Sequence, residues 1–95
     1  IKQLSWSDLA LSPYHFRSHK GHEVDIVLES RKKHLYGIEV KTTSSVDKND
    51  FKGLLYLQDL KQKNFMKGIV LYTGDQVIKF SDKLYAVPVS ALWVD

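Results

Sequence analysis

The chain has no cysteine, so disulfides, thiolate zinc sites and cysteine nucleophiles are all excluded, and nothing in it needs an oxidising compartment. Proline is scarce, with two residues, and glycine contributes five. Collagen-like and low-complexity architectures are therefore ruled out. No apolar run approaches the length of a membrane span, and the opening IKQLSWSD lacks the basic and apolar blocks of a secretory signal. These features predict a cytoplasmic protein with no membrane partner. No GxxxxGK[ST] loop occurs, so ATP hydrolysis of the P-loop kind does not belong to this chain. What is present is ordinary for a globular domain: 95 residues, 43% hydrophobic and 26% charged, enough for one core and one domain. A formal charge of +3 gives a mild lean towards polyanions. The chain opens at Ile1, which reads as a segment of something longer.

Hydrophobic periodicity organises the rest. Leu4, Leu9 and Leu11 with Trp6 suggest a short helix begun by Ser5 or Ser7 and ended by Pro13. From Tyr14 the period becomes two, and YHFRSHKGHEVDIVLES reads as a hairpin. A three-residue loop with Gly21 in the left-handed conformation pairs Phe16 with Val24 and Tyr14 with Ile26, keeping apolar residues on one side. SRKKH then turns the chain into a third, antiparallel strand, LYGIEVKT. The even positions Val24, Ile26, Leu28, Tyr36, Ile38 and Val40 are apolar. The odd positions bring Glu23, Asp25, Val27 and Glu29 opposite Gly37, Glu39 and Lys41.

Phe51, Leu54, Leu55, Leu57 and Leu60 recur at helical spacing, which predicts a helix over 48–63 with Ser45 or Asp47 as its cap. FMKGIVLYTG follows as an apolar run typical of a strand buried on both faces. Strand, helix, strand implies a right-handed crossover and a parallel pair. Gly74 and Asp75 suggest a hairpin into QVIKF, and SDK a turn before LYAVPVSALW.

The polar face of the second and third strands admits two readings. A half-exposed sheet alternates apolar and charged residues as a matter of course. Against this, three acids, Glu23, Asp25 and Glu39, gather around Lys41, and like charges set opposite one another destabilise a sheet unless a cation intervenes. If residues 25 and 39 are opposed, both carboxylates reach one ion. Magnesium takes oxygen ligands, commonly one or two carboxylates with water and substrate phosphate. The Val40 carbonyl would add a third oxygen, and Lys41 would orient water or stabilise developing charge. Gly37 leaves room for a substrate backbone.

The stretches EVDIVLE and IEVK resemble the D…(D/E)XK signature of the PD-(D/E)XK nuclease-like superfamily, with Asp25, Glu39 and Lys41 at the matching positions. From Tyr14 to Trp93 the frame YHFRSHKGHEVDIVLE…GIEVKTTSSV…DFKGL…GIVLYTGDQV…AVPVSALW is most similar to the C-terminal domain of unknown function that follows the ATPase module in AAA+ ATPases of bacteria and archaea. The resemblance implies an α/β, restriction-endonuclease-like core in the order αβββαβ, a mixed sheet flanked by helices, here with an added C-terminal hairpin. It implies one nuclease-like domain over 1–95, carried at the C-terminal end of a longer ATPase. It further implies Mg2+ or Mn2+ at Asp25, Glu39 and Val40, catalysis by Asp25, Glu39 and Lys41, and DNA phosphodiester hydrolysis. Glu23 and, through the glutamine that some nucleases carry on the next helix, Gln58 would be auxiliary. The alternative is a catalytically inactive module that binds nucleic acid or protein for the ATPase. Departures from the family pattern are Val24 in place of the proline before the first acid, and Asp8 as the sole acid of the first helix.

Other polar residues have plainer readings. His15 falls near Asp25 and is grouped with His19 and His22 as solvated turn histidines. Arg17 faces Glu23 as a surface ion pair. RKKH is a wet turn, with phosphate contact as the minority reading. Thr42 to Ser45 lead into the helix as capping residues or, alternatively, as phosphate ligands. Trp6, Trp93 and the tyrosines belong to core packing.

Overall fold

The structure is a computed structural model and describes residues 11–93. The first predicted helix, with Trp6 and Asp8, lies outside these residues. Six strands form one mixed sheet in the order β1-β2-β3-β4-β6-β5. They are β1 (Leu11–Arg17), β2 (Glu23–Ser30), β3 (Leu35–Val40), β4 (Phe65–Tyr72), β5 (Ile78–Lys79) and β6 (Leu84–Pro88). A 3₁₀ turn at Lys48–Phe51 leads into α1 (Lys52–Lys61), the one α-helix among the described residues, and Gln62–Asn64 closes it with another 3₁₀ turn. The fold class is α/β, as the alternation of periods predicts.

The β1–β2 hairpin has the expected loop. Ser18 and His22 close it through Ser18 N–H to His22 O (2.8 Å), and Gly21 adopts φ +87°. Phe16 pairs with Val24 and Arg17 with Glu23 as predicted, but Tyr14 pairs with Val27 rather than Ile26. Two steps along β1 correspond to three along β2, so β2 carries a bulge around Asp25 and Ile26. The bulge changes the parity. Val24 and Val27 both enter the core, fully buried, while Ile26 is only partly buried. Pro13 does not end a helix here. It sits inside β1, which is tolerated because β1 is an edge strand and its missing N–H withdraws nothing from an inner ladder.

β3 and β4 are parallel, joined through α1, which is the expected crossover. α1 lays Leu54 and Leu57 on the sheet face formed by Val24, Val27, Leu35 and Val70, with Phe51, Phe65, Leu84 and Ala86 completing the core. Burying each of the two leucines contributes roughly 1.5–3 kcal/mol. Gly37 and Gly68 open space for this packing: a Cβ on either would fall within 3.1 Å of Leu54 Cδ2. The helix starts where it does because Asp47 accepts the Asn49 N–H (2.9 Å) and Asp50 returns a bond to the Asp47 N–H (2.8 Å), a reciprocal cap.

Of the C-terminal elements, the expected SDK turn joins β5 to β6 as an antiparallel hairpin, but the expected hairpin at Gly74–Asp75 does not form: that turn does not pair β5 with β4. β6 instead inserts beside β4 in parallel, and β5 pairs antiparallel with the outer edge of β6. Leu84, Ala86 and Pro88 are buried on the α1 side, an apolar contribution that the two-residue β5 does not have.

Candidate functional site

β3 places Leu35, Gly37 and Glu39 on one face by alternation, and Gly37 lies against α1. Glu39 is therefore on the helix side of the sheet, at the end of β3 where the chain leaves for α1. Regular β2–β3 pairing runs from Glu29↔Leu35 to Ile26↔Ile38 and stops there. Beyond it, carboxylates take over the ladder. The Asp25 N–H donates to Glu39 Oε1 (2.6 Å), and the Val40 N–H donates to Asp25 Oδ2 (2.9 Å). Each acid is thus fixed by the main chain of the other strand. Among the described residues, Asp25 Oδ1 and Glu39 Oε2 carry no protein hydrogen bond.

The charges around this pair explain its protonation behaviour. Burial of the partly covered Glu39 raises its pKa above the ordinary carboxylate range, and the Asp25 and Glu23 charges add to it. The bond from the Asp25 N–H and the nearby His15 oppose the rise without cancelling it. His15 closes the cluster from β1: its Nδ1 lies 3.2 Å from the Asp25 carbonyl and its Nε2 lies 3.2 Å from Glu23 Oε1. The bond to the Asp25 carbonyl, then the one to Glu23, raises its pKa. Arg17 Nε stands 3.9 Å from the same Glu23 oxygen, both side chains mostly exposed, so this pair contributes little to stability.

Lys41 continues the β3–β4 pairing, its N–H donating to Leu71 O (2.7 Å). Its ammonium does not meet Asp25 or Glu39. It bonds Asp50 Oδ2 at 2.5 Å instead. Burial works against ionising Asp50, but the bonds from Lys41 and the Asp47 N–H outweigh it and hold the carboxyl below its usual range.

The structure therefore brings Glu23, Asp25, Glu39 and Val40 together. Lys41 stands at the same strand end with its side chain committed to the helix cap. Val40 meets Asp25 through its N–H. Gln58 makes no hydrogen bond to these residues, and its Oε1 is buried without a partner among the described residues. His15 lies beside Asp25, as expected, and its contact with Glu23 makes it part of the acid cluster and not one of the solvated turn histidines. One participant escaped the sequence reading. Asp50 binds Lys41; the spacing Asp47…Asp50 is a capping-box pattern and is the signal that identifies it.

Among the described residues no group of three or more His, Asp and Glu side chains is arranged to hold a metal ion. The donor chemistry nevertheless suits a hard cation. Asp25 and Glu39 each present one oxygen without a protein partner, and magnesium keeps several waters on one or two carboxylates.

A family model described as a domain of unknown function (DUF4143) matches residues 1–92. No curated protein and no solved structure matches the chain.

Proposed function

The chain belongs to the family of domains of unknown function DUF4143, and we propose that this member is a metal-dependent phosphodiesterase module of the PD-(D/E)XK type, acting on DNA and attached to an ATPase. The reciprocal bracing of Asp25 and Glu39 carries the reading. Both acids are held by main-chain N–H groups across a splayed strand pair, each with an oxygen that has no hydrogen-bond partner among the described residues. A carboxylate whose pKa is raised by burial and by its neighbours' charges is one that a cation would relieve.

Asp25 and Glu39 would hold Mg2+ or Mn2+, and such an ion supplies charge neutralisation and an activated water at neutral pH. Lys41 directly follows the last residue of β3. To serve a phosphate oxygen or a water, it exchanges its bond to Asp50 for the substrate. Glu23 keeps His15 oriented over the pair. Gln58, with an unpaired buried oxygen, remains an auxiliary candidate on α1.

One observation favours the second reading, a nuclease-like module that binds for its ATPase without cutting: the Lys41–Asp50 bond withdraws the ammonium from the acids. Calorimetric titration of manganese into the protein and into Asp25→Ala and Glu39→Ala variants separates the readings, followed by incubation of binders with plasmid and single-stranded DNA. Binding that both variants lose, with cleavage that Lys41→Ala abolishes, supports the enzyme. A folded wild type that takes no metal sinks it.

A further inference from the structure

The basic turn before β3 is not used by the carboxylate site. Because β3 and β4 are parallel with Leu35 beside Phe65, the segment preceding each strand reaches the same end of the sheet. Arg31, Lys32 and Lys33 precede β3, and Lys61 and Lys63 precede β4; all five are exposed. Two basic turns some thirty positions apart in the sequence thus stand side by side. β6 adds Lys83, whose carbonyl accepts the Gly68 N–H (2.8 Å) and whose Nζ donates to Phe65 O (3.0 Å). Among the described residues the acids at this end are few: Glu29 lies 3.8 Å from Lys33, Asp82 lies 3.7 Å from Lys79, and Asp59 sits on the last turns of α1. The Asp25–Glu39 pair is towards the other end of β3, with Glu39 about 13 Å along the strand from Leu35. Among the described residues charge is thus unevenly placed, with Glu23, Asp25, Glu39, Asp47 and Asp50 near the carboxylate end.

We propose that this end of the sheet is a binding surface for the phosphate backbone of nucleic acid, separate from the carboxylate site. The two turns, RKKH and KQKN, carry no hydrophobic side chain. Protein interfaces depend on aromatic and apolar anchors surrounded by a polar rim, which these turns do not supply. Backbone phosphates need only exposed cations, and each one neutralised releases counterions. The inference goes beyond the phosphodiesterase reading and does not depend on it, because binding here needs no divalent ion.

The test is fluorescence anisotropy of a short labelled DNA duplex in EDTA over a series of salt concentrations. Arg31→Gln/Lys32→Gln/Lys63→Gln is compared with Lys20→Gln/Lys48→Gln/Lys52→Gln, which removes the same charge from the carboxylate end. The first triple should weaken binding about tenfold or more and flatten the log K against log salt slope by about two to three units. The second should stay close to wild type. Equal losses in both triples would reduce the effect to diffuse attraction and overturn the proposal. So would absence of binding by the wild type, or tighter binding of polyglutamate that the first triple abolishes, which would make the partner an acidic protein segment. Because no cleavage occurs in EDTA, failure of the nuclease reading leaves every arm interpretable.

Discussion

Lys41 Nζ lies 2.5 Å from Asp50 Oδ2, and that same oxygen accepts the Asp47 N–H at 2.8 Å. One carboxylate therefore joins the end of β3 to the start of α1. Both side chains are about three-quarters covered, at 26% and 20% exposure, so the pair is less screened than a surface bridge. In a double-mutant cycle of Lys41→Met and Asp50→Asn, urea unfolding should give a coupling of about 1 kcal/mol or more. Asp50→Ala should lose about 1 kcal/mol further through the cap.

The same residue predicts an acid dependence. The folded pKa of Asp50 is lowered, so its contribution is fully present above the unfolded value, about 3.9, and is lost as pH falls through the folded value. Wild type and Asp50→Asn should therefore differ in thermal midpoint at neutral pH and converge in strong acid. A constant difference across that range would show that the lysine bond is not the source.

Glu39 has the opposite sign. Its folded pKa is raised, so the ionised form subtracts from stability above the folded value, and the penalty vanishes below the unfolded value of about 4.3. Glutamine keeps an oxygen for the Asp25 N–H. Glu39→Gln should melt higher than wild type at neutral pH without metal, the gap closing on acidification. A lower midpoint at neutral pH would mean that the ionised carboxylate is itself a structural requirement.

Metal should reverse that ranking. Manganese at many times its dissociation constant stabilises a protein that binds it by a few kcal/mol. Wild type should gain on addition, whereas Asp25→Asn/Glu39→Gln should not. An equal gain in both would place the ion elsewhere.

Glycine positions give a backbone test. A Cβ on Gly53 would fall 2.0 Å from the Glu23 carbonyl oxygen, whereas one on Gly37 would fall 2.5 Å from the tip of Leu54, which can rotate. Gly53→Ala should destabilise by about 1–3 kcal/mol, although alanine favours a helix by up to about 1 kcal/mol. Gly37→Ala should cost less. Equal losses, measured by chemical unfolding, would contradict the close approach of α1 to Glu23.

Much of this architecture was legible along the chain. Period two marked β1 to β3, period 3.6 marked α1, and the apolar run marked β4, although β4 is fully buried on one face only, with Lys67 exposed and Ile69 and Leu71 half-buried on the other. The hairpin loop, Gly21, and the pairings Phe16 with Val24 and Arg17 with Glu23 follow from local turn chemistry. The nearness of Asp25 and Glu39 follows from strand parity. These features depend on neighbours a few positions away, which is why alternation and turn residues specify them.

The remainder depended on contacts between distant segments. The bulge at Asp25 and Ile26 arises because α1 rewards burying both Val24 and Val27, which a regular strand cannot do. Splaying of β2 from β3 exposed main-chain N–H groups that Asp25 and Glu39 then satisfied. β6 took the place beside β4 because it has apolar residues to lay under the helix and β5 does not. Lys41 found Asp50 once the crossover had brought the start of α1 to the end of β3. The residue types and their order were set by the sequence, and their partners by which backbone groups and apolar surfaces the folded chain left to be satisfied.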